Sequence, residues 1–374
     1  MRKCVPILGF LASCVGALLL AALPVWASPP GRADDDILRL IVAHALTPPG
    51  VKEQMVYLRE APFPERTRGF LRRFDQYAAY LTATEYAAIL EAQQMPSAGV
   101  GMDIVHDRQR NIVCIPNAGS EATRKGLRYG DILYAVDGTP VADMDLDAVG
   151  MLIRGKEGTA VALYVIGPRG DGREIPLVRE VFRAPSVAWD APVRNVPVLR
   201  VYRFGPGTAR DLREALAESP PAKAVVLDLR GNTGGDMRAG VEAARLFLPG
   251  GAVLVRTRTR SGESVMKTET PGPYADIRVC IWQDELTASA AEIVIAALRH
   301  AGRAQTIGRP TAGKAMAQQV FKLPDGGLLK LTTEAFLLPD GNGTWQGAGL
   351  FPDRDTGRNT AGRERYESLT PLPE

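Results

Sequence analysis

A serine and a lysine stand twenty-five residues apart in two segments whose composition suits catalysis. Ser289 lies in residues 287–292 (Thr-Ala-Ser-Ala-Ala-Glu), which open a strongly helical run, and Lys314 ends a glycine-bounded turn that begins at Gly308. The chain has only 3 histidines, and these are scattered. If the protein is a serine hydrolase, lysine is therefore a better candidate than histidine for the base that activates the nucleophile.

Ser289 has two interpretations that use the same local geometry. Serine is a preferred helix N-cap, which is a structural role. A serine nucleophile at a helix N-terminus would gain from the unpaired N–H groups and the helix dipole, both of which favour negative charge. The small neighbours of Ser289 favour the second interpretation, because they let a substrate carbonyl reach the backbone, where the N–H of Ala290 would stabilise an oxyanion.

Lys314 can act as a base only if it is shielded from water. A lysine in a glycine turn is usually a solvated surface residue, and free lysine has a pKa of about 10.4. Burial disfavours the charged form and lowers this pKa. Gln318 follows four residues later and faces the same way in a strand or a helix, so we expect its side chain to hold the amine in position.

The segment from Gly308 to Lys314 also fits the beginning of a phosphate-binding loop, Gly-x-x-x-x-Gly-Lys. The next residue is Ala315, although that motif needs a hydroxyl here to bind magnesium. Residues 319–327 have the pattern of a strand and a turn, so no helix N-terminus is offered to a phosphate. The sequence therefore disfavours nucleotide binding.

A turn with paired glycines follows a predicted buried strand at residues 224–229. The turn (residues 230–235, Arg-Gly-Asn-Thr-Gly-Gly) leads into a helix. Its structural interpretation is a tight connection that needs glycine for positive φ. In the functional interpretation, the Gly235 N–H donates the second hydrogen bond to an oxyanion.

Residues 97–180 alternate short apolar runs with glycine-containing turns, which indicates a small β-rich domain. Its first glycine segment, Gly99-Val100-Gly101-Met102, is too short for a dinucleotide fingerprint. Together with the turns that follow it in order, the segment resembles a PDZ domain. This resemblance implies that the backbone N–H groups of Gly99, Val100, Gly101 and Met102 bind the terminal carboxylate of a peptide, which pairs with the adjoining strand edge.

The motifs from about residue 70 to 353, taken in order, resemble the carboxyl-terminal processing (tail-specific) serine protease family. The resemblance implies a core similar to the crotonase-type ββα arrangement. It also implies a role for each site residue: Ser289 as nucleophile, Lys314 as general base, Gln318 as the residue that orients the lysine, and Gly235 and Ala290 as oxyanion donors.

Four positions depart from the usual family pattern. Thr287 and Ala291 replace serines of the nucleophile motif, and Thr233 replaces the proline before the paired glycines. Ala312 replaces the aromatic residue that usually precedes Gly-Lys, so the packing that excludes water from the lysine is expected to be poorer. No catalytic position is lost, and we expect an active enzyme.

The whole chain is predicted to be a mixed α/β protein, with helices packed on a sheet in its core. Nothing in the N-terminal region looks catalytic; a prodomain, a dimerisation arm and a cap all fit its pattern. The predicted segments are a signal peptide or uncleaved anchor (1–27), a helical N-terminal region (28–95), a PDZ domain (96–180), a protease core (181–353) and a polar, flexible or lightly packed tail (354–374). The predicted core strands are 198–202, 224–229, 278–282, one that ends at Ile307, 328–332 and 335–338.

Residue totals limit the function classes. The net charge of +3 and the lack of a basic run argue against nucleic acid. Of the 4 cysteines, Cys114 and Cys280 follow the signal; we interpret them as buried free thiols, with a single disulfide as the alternative. Such a set of cysteines and histidines does not indicate a metal site, and no cofactor is implied.

The sequence thus predicts an exported, periplasmic serine endopeptidase, either free or tethered by its N-terminal segment. We expect its PDZ domain to recognise the C-terminal tails of proteins or peptides, with an adaptor or activator protein and a homo-oligomer as further partners to consider. A catalytically silent PDZ module that only binds C-termini is the alternative. A hydrolase of small esters is a third hypothesis, and it predicts no dependence on the substrate's terminal carboxylate.

Overall fold

The computed structural model describes residues 33–57, 65–94, 98–107, 109–142, 144, 146–167, 169–218, 223–357 and 363–371. The predicted signal peptide lies outside the described residues. Within the part that is described, no helix has both the length and the apolar character needed to cross a membrane.

The N-terminal region is helical, as predicted, and it packs on the core. Its apolar residues Ile37, Ile41 and Phe70 share a buried cluster with Leu329 and Leu331 of the core. A short strand of this region also pairs antiparallel with a core strand. The elements are α1 (Ala33–His44), α2 (Val51–Tyr57), α3 (Glu65–Phe74), β1 (Ala79–Leu81) and α4 (Ala83–Gln94).

The next domain is a β-sheet with the order β2-β3-β4-β6-β7, in which β5 pairs with β4. Residues Val161, Leu163 and Val165 alternate inward along β6 into a core of their own, as expected for a sheet with one buried face. Strand β2 lies at the edge of this sheet. The elements are β2 (Met102–His106), β3 (Ile112–Pro116), α5 (Glu121–Arg124), β4 (Ile132–Val136), β5 (Thr139–Pro140), α6 (Leu146–Ile153), β6 (Ala160–Ile166) and β7 (Gly172–Val178).

The core contains a sheet with the order β17-β14-β13-β10-β9-β8, which is parallel except for the β8–β9 pair. Its central strands are continuous apolar runs, which is typical of strands that are buried on both faces. The elements are β8 (Val187–Val193), β9 (Val196–Val201), α7 (Thr208–Glu218), β10 (Ala224–Asp228), α8 (Met237–Arg245), β13 (Arg278–Gln283), α9 (Ala290–His300), β14 (Ala304–Gly308), β17 (Arg354–Asp355) and α10 (Arg363–Leu369).

A second sheet of the core has the order β1-β16-β11-β12, with β15 also paired to β16. One buried cluster joins side chains of both sheets with those of α8 and α9. Every residue from Ala290 to Leu298 is buried, because α9 has protein on all sides. The remaining strands are β11 (Val253–Thr259), β12 (Gly262–Lys267), β15 (Met316–Lys322) and β16 (Leu328–Leu337).

Two predictions about the core need correction. The two strands expected at 328–332 and 335–338 form the single strand β16, because Thr333 and Glu334 continue the extended backbone. The tail is not lightly packed in its described part, 354–357 and 363–371. Tyr366 is buried with its ring centroid 5.5 Å from that of Trp282, and its hydroxyl donates to the Gln283 carbonyl at 3.0 Å.

Candidate active site

Three turns meet at one edge of the parallel sheet. They follow β10, β13 and β14, which are parallel neighbours, so their carboxyl ends lie side by side. Backbone hydrogen bonds join the turns: the Ala288 N–H donates to the Asn232 carbonyl, and the Ala312 N–H donates to the Thr287 carbonyl, both at 2.9 Å. The fold therefore brings together the three segments that carry the predicted glycine pair, serine and lysine.

Ser289 occupies the N-cap position of α9 in an unusual backbone conformation. Its φ of 56° and ψ of −118° are disfavoured for a residue with a side chain. Such a conformation costs about 1–3 kcal/mol and persists only where the surrounding structure enforces it. Ser289 is half-buried, so protein atoms surround part of it while the residue retains access to solvent.

The carboxylate of Glu292 holds the serine segment and the lysine segment together. Its Oε2 accepts the backbone N–H of Ser289 at 2.8 Å and that of Lys314 at 2.9 Å. Its Oε1 accepts the Thr311 hydroxyl at 2.5 Å and the Gly313 N–H at 2.8 Å. Burial raises the pKa of Glu292, and these four donors oppose the rise by stabilising the carboxylate.

This role of Glu292 was not predicted from the sequence. A signal existed, because Ser-x-x-Glu at a helix start is the spacing of a capping box. The N–H of Ser289 does donate to the Glu292 side chain. The further donors from Thr311, Gly313 and Lys314 could not be read from that local pattern.

Gly234 and Gly235 of the first turn must be glycines, because neighbouring segments of the chain leave no room for a Cβ at either position. A Cβ on Gly234 would lie 2.8 Å from the Ser289 Cβ and 2.9 Å from the Ala290 nitrogen. A Cβ on Gly235, where φ is 129°, would collide with the Phe204 carbonyl oxygen. Gly234 therefore packs directly against Ser289, and Gly235 is the next residue along the chain.

The two predicted oxyanion donors differ from Gly234 in the hydrogen bonding of their N–H groups. The Gly234 N–H donates to the Asn232 side chain at 2.9 Å. The N–H groups of Gly235 and Ala290, in contrast, have no acceptor within the portion of the chain that the structure describes. The roles of Gly235 and Ala290 as oxyanion donors stay predictions.

Lys314 is half-buried, and its Nζ lies 5.7 Å from the centroid of the Tyr77 ring. After Lys314 the chain enters strand β15 and not a helix. The sequence predicted a strand here, which was one reason to disfavour a phosphate-binding loop. Gln318 lies on β15, where its amide donates to the Met316 carbonyl at 3.3 Å and to the Thr332 hydroxyl at 3.4 Å. These bonds fix the Gln318 side chain, while its predicted contact with the lysine amine stays a prediction.

Thr287, one of the departures from the family pattern, has a structural role. Its hydroxyl donates to the Leu229 carbonyl at 2.9 Å, and its N–H contacts the Asp284 carboxylate at 3.2 Å. Asp284 also accepts the Gly231 N–H at 3.0 Å. Thr287 thus connects the serine turn to the glycine turn through its hydroxyl, which is a group that a serine would also supply.

Comparisons with known proteins show what the chain is similar to. Residues 195–356 match the model of peptidase family S41, and residues 112–166 match that of a PDZ domain. The probable CtpA-like serine protease of Staphylococcus haemolyticus (strain JCSC1435) is 30% identical over 304 residues, which are 80% of this chain and 60% of that protein. Residues 195–356 are therefore similar to peptidase family S41, and a larger part of the chain is similar to these serine proteases. These matches confirm the predicted resemblance to carboxyl-terminal processing proteases.

Further relatives and solved structures extend the comparison. The corresponding protein of Staphylococcus aureus (strain COL) has the same identity and coverage, so the chain spans about 60% of the length of these curated relatives. Among solved structures, the photosystem II D1 C-terminal processing protease is similar with a TM-score of 0.67, at 23% identity over 86% of this chain and 92% of that one. An S41 protein from Bacteroides fragilis NCTC 9343 gives a TM-score of 0.58 at 17% identity, over 92% and 93% of the two chains. At these identities the likeness shows the fold.

The PDZ domain contacts the core close to the site. The Tyr129 hydroxyl donates to the Asp284 carboxylate, and the Arg200 guanidinium lies 4.9 Å from the Tyr129 ring centroid. Burial and the neighbouring Asp284 carboxylate raise the pKa of Tyr129, so its hydroxyl remains a donor. Asp284 is therefore shared between the PDZ domain and the serine turn.

The predicted carboxylate-binding loop, Gly99, Val100, Gly101 and Met102, leads into the edge strand β2. The Gly99 N–H already donates to the Glu180 carbonyl at 3.1 Å, so the remaining residues of the loop are the better candidates for binding an anion. Gly101 has a φ of 72°, and a Cβ there would collide with Ser120. Glycine is thus required at that position for the turn itself.

The two remaining cysteines are free thiols, as predicted. Cys114 is buried in the PDZ domain and Cys280 in the core sheet, so they are not partners for each other. Burial raises the pKa of Cys280 to about 12 and that of Cys114 further. Both thiols therefore remain protonated and unreactive, and neither contributes to the site.

Proposed function

We propose that this protein is a serine endopeptidase in which Ser289 is the nucleophile and Lys314 the general base. The observation that supports the proposal best is the Glu292 carboxylate, one oxygen of which binds the backbone N–H groups of both residues. Two amides that contact the same oxygen must lie close together. The side chains of Ser289 and Lys314 therefore extend from adjacent points of the backbone.

The arrangement suits acyl transfer. The Ser289 hydroxyl attacks the substrate carbonyl and gives its proton to the neutral Lys314 amine, while the N–H groups of Gly235 and Ala290 stabilise the oxyanion. The lysine ammonium then protonates the leaving amine, which leaves an acyl-enzyme. Lys314 next takes a proton from water, and the resulting attack releases the carboxylic acid and restores the serine. Gln318 is proposed to orient the lysine.

We further propose that the substrate is the C-terminal tail of a protein or peptide. Strand β2 lies at a sheet edge, and its Met102 and Ile104 pack with Leu146 of α6 on the apolar core of the PDZ domain. An extended peptide can pair with such an edge and place apolar side chains against the helix. Export to the periplasm, tethering by the N-terminal segment, an adaptor and a homo-oligomer remain parts of this proposal that depend on the sequence alone.

Cleavage of an unfolded protein with an apolar C-terminus tests the proposal. Wild-type protein, Ser289→Ala and Lys314→Ala are compared by mass spectrometry of the fragments, and Lys322→Ala on the exposed end of β15 is the matched lysine control. We expect cleavage by wild type and Lys322→Ala only. Binding of the tail without cleavage by wild type would instead favour a silent PDZ module, and equal cleavage of an amidated tail would contradict recognition through the carboxylate.

A further inference from the structure

The side chain of Tyr77 covers the candidate base, although it comes from the N-terminal region, in which the sequence showed no catalytic feature. The Lys314 Nζ lies 5.7 Å from the centroid of the Tyr77 ring, within the range of a cation–π contact. Both side chains are half-buried. The ring thus occupies space beside the amine that water would otherwise fill.

Tyr77 is held firmly against the second sheet. Its N–H donates to the Asp75 carboxylate at 3.0 Å, and that carboxylate accepts both the N–H and the hydroxyl of Thr332, at 2.7 and 2.9 Å. The chain then continues into β1, which pairs with β16. Thr332 is also the residue that accepts from the Gln318 amide. The turn that carries Tyr77 is therefore fixed relative to both Lys314 and Gln318.

The Tyr77 hydroxyl reaches the backbone that follows the lysine. It accepts a hydrogen bond from the Gln346 side-chain nitrogen at 2.9 Å. The oxygen of the same amide accepts the N–H of Ala315 at 2.7 Å. One tyrosine thus contacts the lysine head with its ring and, through Gln346, the next peptide unit with its hydroxyl.

We propose that Tyr77 is a positioning residue for Lys314, which covers the amine and fixes the turn that delivers it. The inference rests on the proposed function of Lys314. It also explains why Ala312 can stand where an aromatic residue usually precedes Gly-Lys. The aromatic cover comes from a segment more than two hundred residues earlier in the chain.

Two effects of the ring on the lysine pKa oppose each other. A cation–π contact favours the ammonium by about 0.5–1 kcal/mol at a partly exposed site, which is less than one pKa unit. Loss of hydration disfavours the ammonium and shifts buried lysines by up to about 3–5 units. The carboxylates that hold the two turns accept other donors: Glu292 accepts the Lys314 N–H, and Asp75 accepts the Thr332 hydroxyl. The possible shift from hydration is several times larger than that from the cation–π contact. We therefore expect the loss of hydration to dominate.

The test compares the pH dependence of kcat/KM for wild type, Tyr77→Ala, Tyr77→Phe and Tyr86→Ala. Tyr86 is the matched control, since this tyrosine of the same region packs on Leu81 and Leu328. We expect the acid limb of Tyr77→Ala to move to higher pH by about one unit or more. Tyr77→Phe should keep the wild-type limb with a several-fold lower kcat, because the ring remains and the hydroxyl is lost. Tyr86→Ala should keep the wild-type acid limb and should only have a lower melting temperature.

A second readout separates this inference from the proposed function. After reductive ¹³C-methylation, the NMR signal of Lys314 is assigned by its loss in Lys314→Arg and titrated in the wild type and in the Tyr77 variants. A signal that titrates at higher pH in Tyr77→Ala supports the inference even if no substrate is cleaved. An unchanged or lower titration midpoint overturns it, even if Ser289 and Lys314 prove essential. Tyr77→Leu, which keeps apolar bulk, replaces Tyr77→Ala if that variant does not fold.

Discussion

The Oε2 atom of Glu292 accepts the backbone N–H of Lys314 at 2.9 Å, and the same atom accepts that of Ser289 at 2.8 Å. The two segments come from different turns of the sheet edge, so nothing in the local chain fixes their separation. A buried carboxylate with four donors fixes it, because each donor that moved away would leave a buried polar group without its partner. The Glu292 side chain thus helps to set the separation of the candidate catalytic residues, together with the backbone hydrogen bond from Ala312 to Thr287.

Replacement of Glu292 by glutamine should disturb this arrangement without changing the size of the side chain. A glutamine amide has one oxygen and one NH₂ group, and the NH₂ group would face N–H donors. We expect a loss of about 1–3 kcal/mol in the free energy of unfolding. Turnover should fall by about a hundredfold, the usual effect of a small misplacement at a reacting centre.

Thermal unfolding and the cleavage assay measure both effects on Glu292→Gln. The control is Glu242→Gln on the exposed side of α8, where the Glu242 side chain is 55% exposed and its carboxylate lies 3.4 Å from the Arg245 guanidinium. That variant should match wild type. Equal stability and turnover for the two variants would contradict the role assigned to Glu292.

The backbone conformation of Ser289 predicts that a glycine at this position gives a more stable protein than an alanine. Both Ser289→Ala and Ser289→Gly lack the nucleophile and should be inactive. Glycine adopts a φ of 56° without strain, whereas alanine does not, so Ser289→Gly should be the more stable variant by about 1 kcal/mol. Denaturant unfolding measures the difference. At Ser264, in strand β12, the order should be reversed, and the same order at both sites would argue against strain at Ser289.

The candidate catalytic motifs could be proposed from the sequence because each is local. Ser289, Lys314 and the glycine pair each lie in one short turn, and the buried strands before them are continuous apolar runs whose bounds were predicted within a few residues. Strands β11 and β12 were missed, since every residue of β12 is exposed and its composition resembles that of a loop. The crotonase-type arrangement and the domain bounds remain predictions.

The contacts that complete the site could not be predicted, since they join residues far apart in the chain. Tyr77 reaches Lys314 only because β1 pairs with β16, and helical periodicity in the N-terminal region shows a buried face without showing its partner. Tyr129 reaches Asp284 only because the PDZ domain lies against the core. The sequence supports a reaction class, and the tertiary contacts determine how its residues are held.

The contact between Tyr129 and Asp284 should restrain the PDZ domain. Tyr129→Phe removes the hydroxyl but leaves the ring beside Arg200 and leaves Asp284 its donors from Gly231 and Thr287, so the core should remain folded. A hydrogen bond to a charged group contributes about 1.5–3 kcal/mol. We expect faster amide hydrogen exchange in residues 127–131 and in the Asp284 turn. Tyr134→Phe, at a PDZ tyrosine that is 52% exposed, is the control, and equal exchange in both variants would contradict the restraint.

The buried ion pairs beneath the glycine turn predict a loss of stability in acid. Burial alone would raise the pKa of Asp228, but Arg230, at 2.7 Å, and Arg200, at 3.1 Å, lower it to about 2. A depressed carboxyl pKa stabilises the folded state fully above the unfolded value of about 3.9, and this stabilisation is lost as the pH falls towards the folded value. The contribution is about 2 kcal/mol.

Comparison with Asp228→Asn isolates this contribution from other acid-sensitive groups. Glu292, whose pKa is raised by burial, becomes protonated at higher pH than Asp228, but it does so in both proteins and cancels in their difference. Asparagine leaves Arg200 and Arg230 buried without the charge of Asp228 at every pH, so the variant is expected to be less stable at pH 6. The difference in unfolding free energy should therefore shrink as the pH falls from about 4 to about 2. A difference that stays constant over this range, measured by urea unfolding, would show that Asp228 is not held ionised by the two arginines.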